Sequence, residues 1–325
     1  MAENAISAQK TISRRRKFSV SALSVIILTV LQFALLAFTS DTFFTYKNIY
    51  AILYGVSFQF IAIIGFTYLM IIGEIDLSVG SVYAFSGMFM GYLMVMQKVP
   101  LIPAILISLT VCTIMGAITG FLVVKLRLNS MMVTIATMTL IRGLASNFVK
   151  RMYGATYPSE MRALSKIEVG DIFLTIIVMV VLVIVLEFML KRSTIFKRLY
   201  FVGENRETAR IYGIKSDRII IGLFALSSLA AGIGGILISS RVTYADTALG
   251  LGLEFQLLTA AVLGGASLYG GKGSILGSAV GLIFLATILN GMIIFNIEPL
   301  LQQLIIGVIL IVSVFVDTRL NKVEG

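Results

Sequence analysis

The sequence predicts an all-α integral membrane protein, a polytopic helical bundle of about ten membrane segments with two discontinuous, glycine-rich segments. Three observations carry this. Mean hydropathy is +1.00 and only 13% of the 325 residues are charged, against about 25% in an ordinary soluble domain. The missing charge is concentrated in long uncharged runs, most of which reach the roughly 20 residues that a helix needs to cross the hydrocarbon core. Two short polar stretches rich in glycine interrupt those runs.

Apolar runs, uncharged but for Arg142 and Glu187, cover about 19 to 39, 49 to 72, 79 to 97, 101 to 124, 130 to 149, 172 to 190, 219 to 240, 275 to 295 and 299 to 316, each near the length of a crossing. A tenth, about 257 to 269, is too short to cross alone. The first run follows Arg14, Arg15, Arg16 and Lys17 in the manner of a signal peptide. Its apolar core is too long for one and no small-residue cleavage site follows, so it is expected to stay as an uncleaved anchor. With the N-terminus in the cytoplasm and ten crossings, about 18 of the 26 Lys and Arg residues lie inside and about 7 outside, leaving Arg142 within a span. The expected organisation is a basic cytoplasmic segment at 1–18, a membrane domain at 19–316 with a cytoplasmic loop at 191–218, and a cytoplasmic tail at 317–325. If the short segment does not cross, everything after it inverts and the tail lies outside.

Histidine and tryptophan are absent and Cys112 is the single cysteine. Histidine acid–base chemistry, His/Cys metal sites and intrachain disulfides are therefore excluded by counting. The net charge of +10 does not mark a nucleic-acid binder, because the basic residues sit in short segments between apolar runs and form no basic face on a soluble helix.

The two interruptions are GEIDLSVGS at 73–81 and GGASLYGGKGS at 264–274. Non-helical backbone at membrane depth is tolerated only where it is buried in protein or lines a watery cavity, and such breaks often mark a transport pathway. The alternative is a pair of ordinary cytoplasmic turns. Aligning Gly80 with Gly273 also matches Ser81 with Ser274 and little else, a weak hint of duplication. Asp76 directly precedes LSVGS and reads as a helix N-terminal cap in preference to a proton or cation relay, since no histidine or second buried base accompanies it. Arg142 cannot shed its proton and needs a carboxylate, carbonyls or water, which points to a tie to a neighbouring helix. GASLYGGKGS mimics a phosphate-binding loop but carries Ala266 and Gly273 where that motif requires Gly and Ser/Thr.

Within the basic loop, ENRETARIYGI has helix formers, an early acid, a late base and Gly213 placed as a stop. It predicts a short amphipathic helix outside the bilayer, either a solvated connector or a docking helix offering Ala209, Ile211 and Ile214 to a soluble partner.

Together IDLSVGS, TMTLIRGLA, GENRETARIYGI, LEFQLLTAAVLGGASLYGGKGS and LNG…LLQQLIIGVILIVSVFVD resemble the membrane permease subunits of ribose-type monosaccharide ATP-binding-cassette importers, a group that includes autoinducer-2 permeases. The likeness runs in order from about residue 40 to 317. It implies that the loop couples to an ATPase subunit through Gly203, Asn205, Ala209, Gly213 and Ile214, with Glu204, Arg206, Glu207 and Arg210 between them. It places Asp76, Ser78, Gly80, Ser81, Asn290 and Gln302 on the substrate pathway and Gly264, Gly265, Gly270, Gly271 and Gly273 in a structural glycine-rich segment; Gly291 also matches the late helices. It further implies a second permease subunit, a periplasmic or lipid-anchored sugar-binding protein, surrounding membrane lipid and a bacterial inner-membrane location, with ATP held by the partner and no cofactor in this chain. The chain departs from the family's usual residues at Glu74 and Glu204, where glycine is usual, at Gln256, usually acidic, and at Ile306, often basic. The added carboxylate of Glu74 is expected to alter what passes. A pentose, a hexose or a related polyol or furanose fits equally well. The sequence-level rivals are an ion-coupled transporter using Asp76 with Glu74, and a membrane enzyme acting on lipid, for which no acidic or histidine cluster is present.

Overall fold

The computed structural model describes residues 25–242 and 244–322. The basic segment 1–18, the start of the first span and residues 323–325 of the tail lie outside the described residues. The helices are α1 (Val25–Thr39), α2 (Tyr46–Ile71), α3 (Val79–Val95), α4 (Leu101–Lys125), α5 (Ser130–Arg151), α6 (Ser159–Ala163), α7 (Leu174–Arg192), α8 (Thr194–Glu204), α9 (Arg206–Ile211), α10 (Ser216–Arg241), α11 (Leu253–Leu263), α12 (Ile275–Ile294) and α13 (Pro299–Lys322). Among the described residues, six helices are long and apolar enough to cross a membrane: α2, α4, α5, α7, α10 and α12. The other four expected spans correspond to shorter apolar helices, α1, α3, α11 and the Pro299–Phe315 stretch of α13.

Burial separates the bundle's centre from its periphery. About two thirds of the apolar window of α2 and 61% of that of α10 are buried, against 22% for α4 and α5 and 28% for α7. The outer helices therefore keep a face for lipid, although α7 has the highest hydropathy of the six. The central helix α10 packs on α2, α3 and α4, while α3 also packs on α5, and α11 on α12 and α13. Small residues allow this close approach. A Cβ at Gly65 of α2 would overlap the backbone of Ser227 on α10, and one at Gly235 of α10 would overlap the carbonyl of Tyr83 on α3.

Three sequence expectations need correction. The chain is not wholly helical: the mixed-charge loop after α5 holds α6, a 3-10 turn at Leu164–Lys166 and a two-residue hairpin, β1 (Glu168–Val169) with β2 (Ile172–Phe173), which delays α7 to Leu174. Charged residues do not stop α13 at 316, because Asp317 lies one step beyond the apolar run and the helix continues to Lys322. The short apolar segment is helical over Leu253–Leu263, since Gly264 and Gly265 break it before 269.

Candidate functional site

The basic loop folds as two helices, and one was not foreseen. Phe196, Leu199, Tyr200 and Gly203 recur at i, i+3, i+4 and i+7, an inward helical face that gives α8 over Thr194–Glu204. Gly203 and Glu204 thus end α8 and do not open the ENRETARIYGI helix. Asn205 is the extended hinge, and its Oδ1 accepts the Thr208 N–H at 2.9 Å to cap α9. Glu207 and Arg210 occupy the first and last turns, the favourable ends for their charges. Gly213 stops the helix at φ +78°, with its N–H on the Arg210 carbonyl (2.9 Å) and the Ile214 N–H on that of Ala209 (3.0 Å). Arg210 also pairs with Asp217. Ala209 is buried and Ile214 packs on the core. The apolar surface offered outward is therefore Ile211 with Tyr212, each more than four-fifths exposed, beside an open groove of about 440 Å³ lined by Arg198, Gly213, Lys215 and Arg218.

The inner side of α8 sits on both broken segments. Any side chain at Gly203 would strike the Ile71 carbonyl at the end of α2 and the Gly271 N–H. The Gly271 N–H donates to that same carbonyl at 2.8 Å, and Gly270 lies against Gly73 with both backbones at positive φ, a conformation that favours glycine. Tyr200 donates from its hydroxyl to the Gly273 carbonyl at 2.8 Å; burial, with the Glu187 carboxylate adding to it, pushes the phenol pKa up and keeps the proton on. Arg206 donates from Nη2 to Glu74 Oε1 at 2.6 Å, with the Glu74 side chain almost fully buried. The Leu268 N–H reaches Asp317 of α13 at 3.4 Å. The two breaks therefore meet each other through the loop. The Glu74 carboxylate is thus held by the loop.

Of the pathway candidates, four come together. Asp76 Oδ1 accepts the Ser78 N–H at 3.0 Å and the Ser78 hydroxyl at 2.5 Å, and Oδ2 accepts the Ser227 hydroxyl of α10 at 3.0 Å. Asp76 thus caps the turn entering α3 and staples it to the central helix. Gly80 and Ser81 form the first turn of α3, and Gly80 lies directly against Gly250 and Glu254. Asn290 and Gln302 lie elsewhere. Asn290 exchanges two amide hydrogen bonds with Asn48 at 2.8 and 2.9 Å, at the far end of α2, which is about 39 Å long by helical rise. Gln302 donates to the Ile297 carbonyl at 2.8 Å beside the start of α13. In the glycine run, Gly264 packs on Gly277 of α12 where a Cβ could not fit, and Gly265 turns the chain at positive φ.

Arg142 of α5 donates to the carbonyls of Leu249 at 2.7 Å and Gly250 at 3.2 Å, the carbonyl option among its three. The residue that the sequence reading missed is Glu254, buried at the start of α11. A lone acid in the apolar run LGLEFQLL was the available signal.

A family profile described as branched-chain amino acid transport system / permease component matches residues 48–314. The chain is 30% identical over 318 residues to a ribose import permease of Escherichia coli, covering 95% of this chain and 98% of that one. It is 29% identical to a ribose import permease of Haemophilus influenzae over 94% and 95% of the two chains. An L-arabinose ABC transporter permease of Azospirillum brasilense is 32% identical over 90% and 86%. No solved structure matches. The chain belongs to the branched-chain amino acid transport system / permease component family, whose members are transport permeases and not enzymes.

Proposed function

We propose that this chain is the membrane subunit of an ATP-binding-cassette importer in the bacterial inner membrane, forming the path for a monosaccharide or a related polyol or furanose. Separate ATPase subunits bind the ATP, a second permease subunit completes the channel, and a periplasmic or lipid-anchored binding protein delivers the cargo. Its similarity to ribose and L-arabinose permeases supports the sugar class. It gives an ion-coupled mechanism no support, and Asp76, the key candidate there, already uses both oxygens on Ser78 and Ser227.

One observation carries the reading: the loop whose α9 faces outward with Ile211 and Tyr212 is tied inward, through Arg206 of α9 to Glu74 and through Gly203 of α8 to Ile71 and Gly271. ATP binding in the partner pulls the loops of two subunits together, and this rigid joint passes the motion to both broken segments, converting it into alternating access. Sugars are neutral and rich in hydroxyls, so the path needs polar groups and little net charge. A weak site suffices, because the binding protein supplies affinity and tight holding would slow release.

Ten crossings with a cytoplasmic N-terminus agree with several contacts. Loop 264–274 meets the 191–218 loop at Gly203 and also reaches Asp317 of α13, while Thr156 and Tyr244 pair beyond the other ends of α5 and α10. The stretch 244–252 then returns to the middle of the bundle and α11 completes that crossing.

Copurification with an ATPase and a binding protein, followed by sugar-stimulated hydrolysis across a sugar panel, tests the reading. Stimulation by one sugar supports it; uphill uptake by the chain alone would overturn it. Arg210→Glu combined with Gly213→Pro should uncouple hydrolysis from uptake with insertion intact, and unaffected uptake would remove the docking role from α9.

A further inference from the structure

The helices that begin inside the bundle start facing one another. α3 has 17 residues and α11 has 11, and the backbones of Gly80 at one start and Gly250 just before the other touch. Glu254 lies nine residues before Leu263, about 14 Å along the axis from the cytoplasmic glycine run, near the middle of a hydrocarbon core roughly 30 Å thick. Two N-terminal helix ends, each with partial positive charge, thus converge at mid-depth, as discontinuous helices do around transported solutes.

Two buried polar atoms at these helix starts have no hydrogen-bond partner among the described residues: Glu254 Oε2, on a residue 4% exposed and directly against Gly80, and Ser81 Oγ, on the next residue of α3 and fully buried. A buried polar atom left unpaired costs about 1–3 kcal/mol and calls for an explanation. The neighbouring carboxylate offers a contrast, because Asp76 has its oxygens committed to Ser78 and Ser227. Arg142 does not complete the set, since its hydrogen bonds go to the Leu249 and Gly250 carbonyls and it acts on Glu254 through space. Its charge discourages a bound cation, and the carboxylate discourages an anion. What remains is a neutral donor.

We propose that Glu254 and Ser81 read the hydroxyl groups of a neutral, polyhydroxylated cargo at a constriction formed by Gly80 and Gly250, closed in this structure and opened during transport. The proposal rests on the importer reading. In the closed state Gly80 fills the space beside Oε2, and a Cβ there would collide with Glu254 and with the Gly250 carbonyl. When α3 and α11 part, a sugar hydroxyl donates to Oε2, and Ser81 supplies a second contact.

The test uses the reconstituted complex with its ATPase and binding protein, and D-ribose, L-arabinose and D-allose with their monodeoxy derivatives as probes. Glu254→Gln should lower uptake of the transported sugar about tenfold and bring its preference over one deoxy derivative close to one. The binding protein's own preference cancels when variant and wild type are compared. Ser81→Ala, which removes only a hydroxyl, should narrow the same preference severalfold and guards against a folding defect in the first variant. Parallel losses for sugar and every deoxy derivative, in both variants, would assign Glu254 to positioning alone and overturn the proposal. If the wild-type complex moves no member of a panel of pentoses, hexoses, polyols and furanoses with ATP, the importer reading fails first, and that outcome is distinct from an unchanged preference.

Discussion

The cytoplasmic joint and the mid-depth constriction are built from the same kinds of residue, glycines at close backbone contacts with charged side chains beside them, but they are finished differently. At the joint every invoked group is paired: Gly271 with Ile71, Tyr200 with Gly273, Arg206 with Glu74. At the constriction Glu254 Oε2, and beside it on α3 Ser81 Oγ, have no partner among the described residues. A fully paired joint resists deformation and suits the passage of force. An incompletely paired one holds groups in reserve for something that arrives.

Breaking the joint should have the largest effect. Gly203→Val places a branched side chain against the Ile71 carbonyl and the Gly271 N–H, and overpacking against backbone costs about 1–3 kcal/mol or more. Uptake should fall to background, with a lower thermal midpoint in detergent. Normal uptake would mean that α8 is not seated as described.

Gly80→Ala should come next. The added methyl meets the Gly250 carbonyl and the Glu254 carboxylate, so the constriction cannot close, coupled uptake drops about tenfold or more and the thermal midpoint also falls, while ATP hydrolysis driven through the joint persists. Equal damage to uptake and hydrolysis would erase the distinction between the two regions.

The Glu74–Arg206 pair sharpens the comparison at intermediate size. Arg206→Gln should destabilise by about 1–3 kcal/mol, because it leaves the buried Glu74 carboxylate less satisfied, and Glu74→Gln should cost less, because the Arg206 left behind is partly exposed to water. The double variant should cost less than their sum in a double-mutant cycle; strict additivity would deny the contact. Asn290→Ala should have the smallest effect, about 1 kcal/mol from lost hydrogen bonds with Asn48, with no change in sugar preference. An altered preference would support the pathway role that the family resemblance implies for Asn290.

The spans were legible because hydropathy and length are one-dimensional properties: α2, α4, α5, α7, α10 and α12 fall within a few residues of the expected runs. Although Val79, Gly80 and Ser81 already belong to α3, the glycine-rich polar stretches at 73–81 and 264–274 were legible as places where helices stop. Their meeting was not. It depends on α8, whose inward face is short and spread over Phe196, Leu199, Tyr200 and Gly203. Local sequence also could not distinguish the uses of similar polar residues. Asp76 and Glu254 are both acids near the start of a helix, yet one is satisfied by Ser227 from a distant helix and the other is not. Asn290 is similar: its partner, Asn48, lies 242 positions away.

The most direct test is the amount of sugar moved per ATP hydrolysed by the reconstituted complex carrying Arg206→Gln, compared with wild type. Assembly and hydrolysis should persist while sugar moved per ATP falls about tenfold, within the range of ordinary coupling energies. An unchanged ratio, with hydrolysis and uptake both intact, would show that force does not pass from the loop to the first broken segment through this contact.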